Sequence, residues 1–133
     1  MGERQFEPGF RLSAFDVVIL LAGAAATAYF FAIDAWFGAA VAFVVAHFFL
    51  FCNVFRISRI SELIWAGIFT SLAAGAISHQ SPTWPIVFLV STLATVILIA
   101  LETRRPSYHG VGWRSLNPQL PEWWKSHVAG DRG

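Results

Sequence analysis

Residues 12–101 carry only five charged side chains in ninety positions: Asp16, Asp34, Arg56, Arg59 and Glu62. The chain has nine Lys and Arg and eight Asp and Glu, so the other twelve charges crowd into the 11 residues before this block and the 32 after it. A soluble fold of this size leaves too much surface in water to hide such a stretch. Charged residues make up 13% of the chain, about half of the roughly 25% usual for soluble domains. A soluble enzyme, a disordered segment and a secreted disulfide scaffold are excluded. A net charge of +1 gives no footprint for nucleic acid. The one cysteine, Cys52, cannot form a disulfide or a Cys-based metal site within one chain.

Four apolar runs divide the block: Val17–Ile33, Ala35–Cys52, Leu63–Ile77 and Trp84–Leu101. A helix needs about 20 residues to cross a hydrocarbon layer about 30 Å thick. Extending each run to its polar flanks predicts transmembrane helices near 13–33, 35–55, 58–78 and 84–102. No run alternates as a barrel strand would. The predicted fold is therefore an all-α integral membrane protein, a compact four-helix bundle spanning 13–102. A segment at 1–12 precedes it, and a tail at 103–133 ends in a short amphipathic, Trp-rich stretch.

The connections are short. Asp34 alone separates the first two runs, and Pro85 suits the first turn of the fourth helix, where its missing N–H costs nothing. With four spans, both termini and the 56–62 connection share one side. All nine basic residues lie there, against Asp34 and His79 on the other. Lys and Arg collect on the cytoplasmic side, which predicts cytoplasmic termini and a bacterial inner membrane. Asp16 and the continuation of the first run through Tyr29 argue against a cleaved signal peptide.

Small residues recur at four-residue spacing: Gly23/Thr27, Gly38/Ala42/Ala46, Gly67/Ser71/Gly75 and Ser91/Thr95. Such faces let membrane helices approach closely, either inside the bundle or against another chain.

His47 is the one ionisable group near mid-membrane, nine residues and so about 13 Å from Arg56. Thr70, Ser71, Ser91, Thr92 and Thr95 lie at similar depth. The imidazole is expected to hydrogen-bond one of these hydroxyls. Alternatively it ligates a haem or chlorophyll-type pigment with Phe51 beside it, or relays protons. Cys52, Arg56 and Arg59 would form one stripe if the second helix ran through 59. Asn53 needs an amide partner if buried, and Arg59 and Glu62 are spaced to pair. Asp16 is expected to pair with an Arg or to cap the first helix. Trp113, Trp123 and Trp124 are expected at the membrane surface or against a partner protein, and 121–128 has the length of a two-turn helix.

No nucleotide loop, metalloprotease motif or nucleophile elbow occurs. Catalysis is therefore less expected than a non-catalytic accessory or scaffold subunit of a larger membrane complex. Energy transduction is one setting for it, and lipid or pigment one cargo. Its partners would be the bilayer and other membrane subunits or further copies of itself. The alternative is a small homo-oligomeric, proton-coupled transporter or channel using Asp16 and His47.

Overall fold

The computed structural model describes residues 6–129, and every element among them is helical. The four long helices are α1 (Ala14–Ile33), α2 (Ala35–Phe49, continued by a π-helical turn over Leu50–Val54), α3 (Arg59–His79) and α4 (Trp84–Thr103). Each is long and apolar enough to cross a membrane. The boundaries lie within a residue of the sequence expectation, because charges, caps and prolines mark the ends.

α1 begins in a capping box. The Asp16 N–H donates to Ser13 Oγ (3.2 Å), while the Ser13 N–H and hydroxyl donate to Asp16 Oδ2 (2.7 and 2.6 Å). Asp34 closes α1 and opens α2 by itself, its Oδ1 accepting from the N–H groups of Trp36 and Phe37 (2.8 and 3.2 Å). The resulting hairpin is tight. A Cβ on Gly38 would sit 2.6 Å from the Phe31 Cα, and one on Gly23 would sit 2.8 Å from Val45. Two of the predicted small-residue faces are thus used between α1 and α2. α3 and α4 form the second hairpin, with Pro85 in the first turn of α4.

The hairpins meet through rings rather than through close backbones. Phe43 of α2 lies 6.0 Å from Trp65 and 5.7 Å from Phe69 on α3, and 4.9 Å from Phe88 on α4. Trp65 and Phe69 stack nearly parallel, 5.3 Å apart with planes 3° from coplanar. Trp65 is essentially buried, and its indole N–H donates to the Ser91 carbonyl (3.1 Å). The buried core is Ala40, Phe51, Trp65, Phe69, Ala76, Val87 and Leu98. A compact bundle would draw on all four helices, yet α1 contributes no buried residue. It lies along α2 at the edge of the structure.

Seven basic residues, Arg11, Arg56, Arg59, Arg104, Arg105, Arg114 and Lys125, belong to the end where α1 starts and α4 stops; Arg4 and Arg132 lie outside the described residues. This cap end is itself folded. Two short helices, α5 (Trp113–Leu116) and α6 (Leu120–Trp124, followed by a π-type turn to Ala129), belong to it. Trp113 and Trp124 also pack within the cap itself. They close edge-on over Phe6, 5.9 and 5.5 Å away, and Trp123 stacks on His127 (4.6 Å).

Candidate functional site in the folded cap

Three segments far apart in sequence meet at the cap end: residues 6–12, the turn at 50–58, and the tail from Arg104. α2 ends there in an unusual way. After the π turn, Arg56 takes up a left-handed backbone (φ 49°), the Phe55 N–H bonds the Leu50 carbonyl (2.9 Å) and the Ile57 N–H bonds the Phe51 carbonyl (2.9 Å). This is a C-cap widened by one residue, with arginine where glycine usually stands. The helix therefore stops before 59, and Cys52, Arg56 and Arg59 form no common helical stripe.

The turn then becomes a template. Asn53 holds the first segment with both polar ends of its residue: its carbonyl accepts from the Arg11 N–H (3.1 Å) and its side-chain amide donates to the Arg11 carbonyl (2.6 Å). This answers the partner its burial requires. The Val54 carbonyl accepts from Val111 N–H (2.8 Å), and Gly9 N–H donates to the His109 carbonyl (2.7 Å). Gly110 packs so closely on Phe55 that a Cβ would lie 2.6 Å from the Phe55 carbonyl carbon. Asn117 braces the tail from within, donating to the carbonyls of Pro106 (2.6 Å) and Tyr108 (3.0 Å).

Beneath these contacts lies a polar cavity of about 370 Å³. Arg56, Arg59, Arg105 and His109 line it, with Glu62 and Glu102. Glu102 is 6% exposed and fully engaged. Its Oε1 accepts from the hydroxyls of Ser58 (2.7 Å) and Ser61 (2.6 Å), its Oε2 faces the Ser58 N–H (3.4 Å), and Arg105 lies 3.6 Å away. A carboxylate seated on the first turn of α3 also faces that helix's positive end. Glu62 does not pair with Arg59; it accepts from the Cys52 thiol (3.2 Å). Arg105–Glu102 is the one ion pair among the described residues, which leaves Arg56 and Arg59 without a carboxylate. Arg56 donates to the Glu7 carbonyl. Burial, and secondarily the charge of Arg11, lowers the Arg56 pKa, although a guanidinium stays charged throughout the physiological range. Burial pushes His109 below the ordinary imidazole value and Tyr108 above the ordinary phenol value.

A second cavity of about 310 Å³ opens on the other side of α2, against α1. Its walls are Ile19, Leu20, Val45, Phe48 and Phe49, with Asp16, Cys52 and Asn53 also lining it. Cys52 borders both cavities.

Asp16 is committed to its capping box with Ser13, the second of its two expected roles. His47 finds no hydroxyl. Its Nδ1 lies 2.7 Å from the Phe43 carbonyl, and its ring lies flat on Trp65 (4.7 Å, 14°) and close to Phe43 (4.1 Å). Three of the hydroxyls at that depth turn inward on their own helices instead, Ser71 to the Gly67 carbonyl, Thr92 to Phe88 and Thr95 to Ser91, while the buried Ser91 hydroxyl has no partner among the described residues. A carbonyl only accepts, so Nδ1 carries the proton. Phe51 is buried and edge-on to both His47 and Trp65. None of the cavities described above touches His47. Among the described residues, no three His, Cys, Asp or Glu side chains gather as a metal site would require. Glu102, Ser58, Ser61, Arg105 and His109 are the site residues that sequence reasoning passed over. The spacing of Glu102 and Arg105, three apart at a helix end, is the one local signal they carry. No family model, curated protein or solved structure matches the chain.

Proposed function

We propose that this protein is a non-catalytic, four-span subunit of a larger membrane complex, and that a neighbouring membrane chain docks on α3. The observation that carries this reading is the outer face of α3. Gly67, Thr70, Ser71, Ala74 and Ser78 share one side of the helix and are all exposed, and a Cβ on Gly67 would meet nothing within 4 Å. Small residues on a lipid-facing surface forfeit contact with acyl chains. Against another helix they permit close backbone approach, which drives association where burial from water contributes nothing. The folded cap supports the same reading, as a shaped surface at one end of the spans. The clustering of basic residues at that end supports a cytoplasmic side for the cap and both termini, as in a bacterial inner membrane.

The transporter alternative draws less support. Asp16 is tied up as a helix cap at the end of α1, and His47 is stacked among rings rather than facing a polar path. Transport needs polar groups at several depths along a cavity.

The test is mild solubilisation from the native membrane followed by a count of co-purifying chains. The expected result is a hetero-complex from which the double variant Gly67→Leu/Ser71→Leu drops out, while the isolated variant keeps its melting temperature. A homodimer with no second chain overturns the subunit reading.

A further inference from the structure

The cap cavity has an unbalanced charge. Three guanidinium groups and two carboxylates line it, and Glu102 is already satisfied by two hydroxyls and Arg105. One positive charge is left over among the lining groups, on the side where Arg56 and Arg59 have no carboxylate within ion-pair distance among the described residues, the negative charge acting on Arg56 being that of Glu7. Arg56 is held there by a left-handed backbone, a conformation unusual for a non-glycine residue and of the kind found where function over-determines the local structure. Guanidinium groups bind phosphate through paired N–H donors better than any other side chain. The cavity's volume of about 370 Å³ falls in the lower part of the range for small-ligand sites, roughly 300–1,000 Å³.

The neighbouring groove is its chemical opposite. Beyond Cys52, which both cavities share, the α1–α2 groove presents Ile19, Leu20, Val45, Phe48 and Phe49, with Asp16, held in its capping box, and Asn53 at the end nearest the cap. A polar, cationic pocket at the ends of spanning helices, bordered by an apolar groove along them, matches an amphiphile with one negative charge in its head.

We infer that the cap cavity binds a phosphodiester group on Arg56 and Arg59, and that the adjoining groove makes a singly charged phospholipid its bearer. The lipid's acyl chain lies against Ile19 and Phe48 while its phosphate neutralises the surplus guanidinium. This rests on the membrane-spanning reading of the four helices and is independent of any partner chain.

The experiment uses the full chain in nanodiscs of equal phosphatidylcholine and phosphatidylglycerol, with the lipid retained after release read by native mass spectrometry. Failure to enter nanodiscs at all would strike the membrane-spanning reading rather than the site. The expected result is one phosphatidylglycerol per chain, favoured about tenfold over phosphatidylcholine. Arg56→Gln/Arg59→Gln should bring that ratio to about one. Arg56→Gly guards against misfolding, because glycine accepts the left-handed backbone; it too should lose the preference while the melting temperature holds. Ile19→Trp, which fills the groove, should lower lipid retention. Equal retention of both lipids by the wild type, or a preference that survives the double Arg variant, overturns the site. Removal of the preference by millimolar inorganic phosphate identifies soluble phosphate as the occupant and overturns the lipid assignment.

Discussion

The two ends of this molecule's chemistry are built by different rules. Between the hairpins, rings stack on rings: Phe43, Trp65, Phe69 and Phe88 form a contact with one side chain-to-backbone hydrogen bond, from Trp65 to Ser91. In the cap, directed hydrogen bonds join segments far apart in sequence, such as Asn53 to Arg11 and Glu102 to Ser58, beside the ring contacts of Phe6 with Trp113 and Trp124. Ring packing tolerates small shifts and needs only residues of the right size. The cap needs particular donors opposite particular acceptors, and an unmet buried group costs about 1–3 kcal/mol. The hairpin interface therefore determines whether the helices associate, and the cap determines how their ends are shaped.

The sharpest way to break that distinction is to remove the ring at the centre of the stack. Trp65→Ala should cost about 3 kcal/mol, the low end for aromatic truncations, because in lipid only the lost contacts and the cavity count. Thermal unfolding in detergent should show a large drop in melting temperature. A smaller loss belongs to Glu102→Ala, which strands the hydroxyls of Ser58 and Ser61 and frees Arg105. We expect about 2 kcal/mol, given charge-assisted hydrogen bonds of about 1.5–3 kcal/mol each offset by hydroxyls that can turn to nearby carbonyls. Hydrogen exchange should rise at Ser58, Ile57 and the start of α3 before it rises near Trp65. Uniform acceleration across all four helices would mean that cap and bundle are one cooperative unit.

This contrast explains what the sequence could reveal. Helix positions follow from run length, caps and prolines, all local, and the ends of the four long helices were legible to within a residue. The aromatic core was half legible: the density of rings around His47 is plain, but which faced inward depends on helix rotation. The cap was almost illegible. The charge-poor block stops at Leu101, so the most buried carboxylate among the described residues reads as an ordinary polar flank at the end of the fourth helix. The partner of Asn53 lies 42 positions away, and no local pattern announces it. Arg56 reads as an ordinary interfacial arginine, because backbone conformation, not composition, singles it out. The contact of Trp113 and Trp124 with Phe6 could not be read locally, because that ring lies more than a hundred residues earlier in the sequence.

The smallest effect probes the cap alone. His109 faces Arg56 and Glu102, and its Nδ1 lies 2.9 Å from the Ser107 carbonyl. Burial chiefly, and Arg56 secondarily, hold its pKa below the ordinary value, against the opposing pull of the Ser107 carbonyl and Glu102. The folded cap thus prefers the neutral imidazole. Above the unfolded value of about 6.5 neither state is protonated, and the cap keeps its full stability. As pH falls through that value the open cap takes up a proton first, so stability is lost until the folded imidazole titrates as well. Gly9 donates its N–H to the His109 carbonyl, and Val111 bonds Val54 two residues on, so these two amides report the opening directly. Their exchange protection, corrected for intrinsic rate, should fall between pH 7.5 and 5.5 while amides around Trp65 stay unchanged. His109→Gln should remove the dependence and leave the bundle untouched. Protection that rises on acidification would reverse the assigned direction, and a change shared by the Trp65 region would erase the independence of cap and bundle.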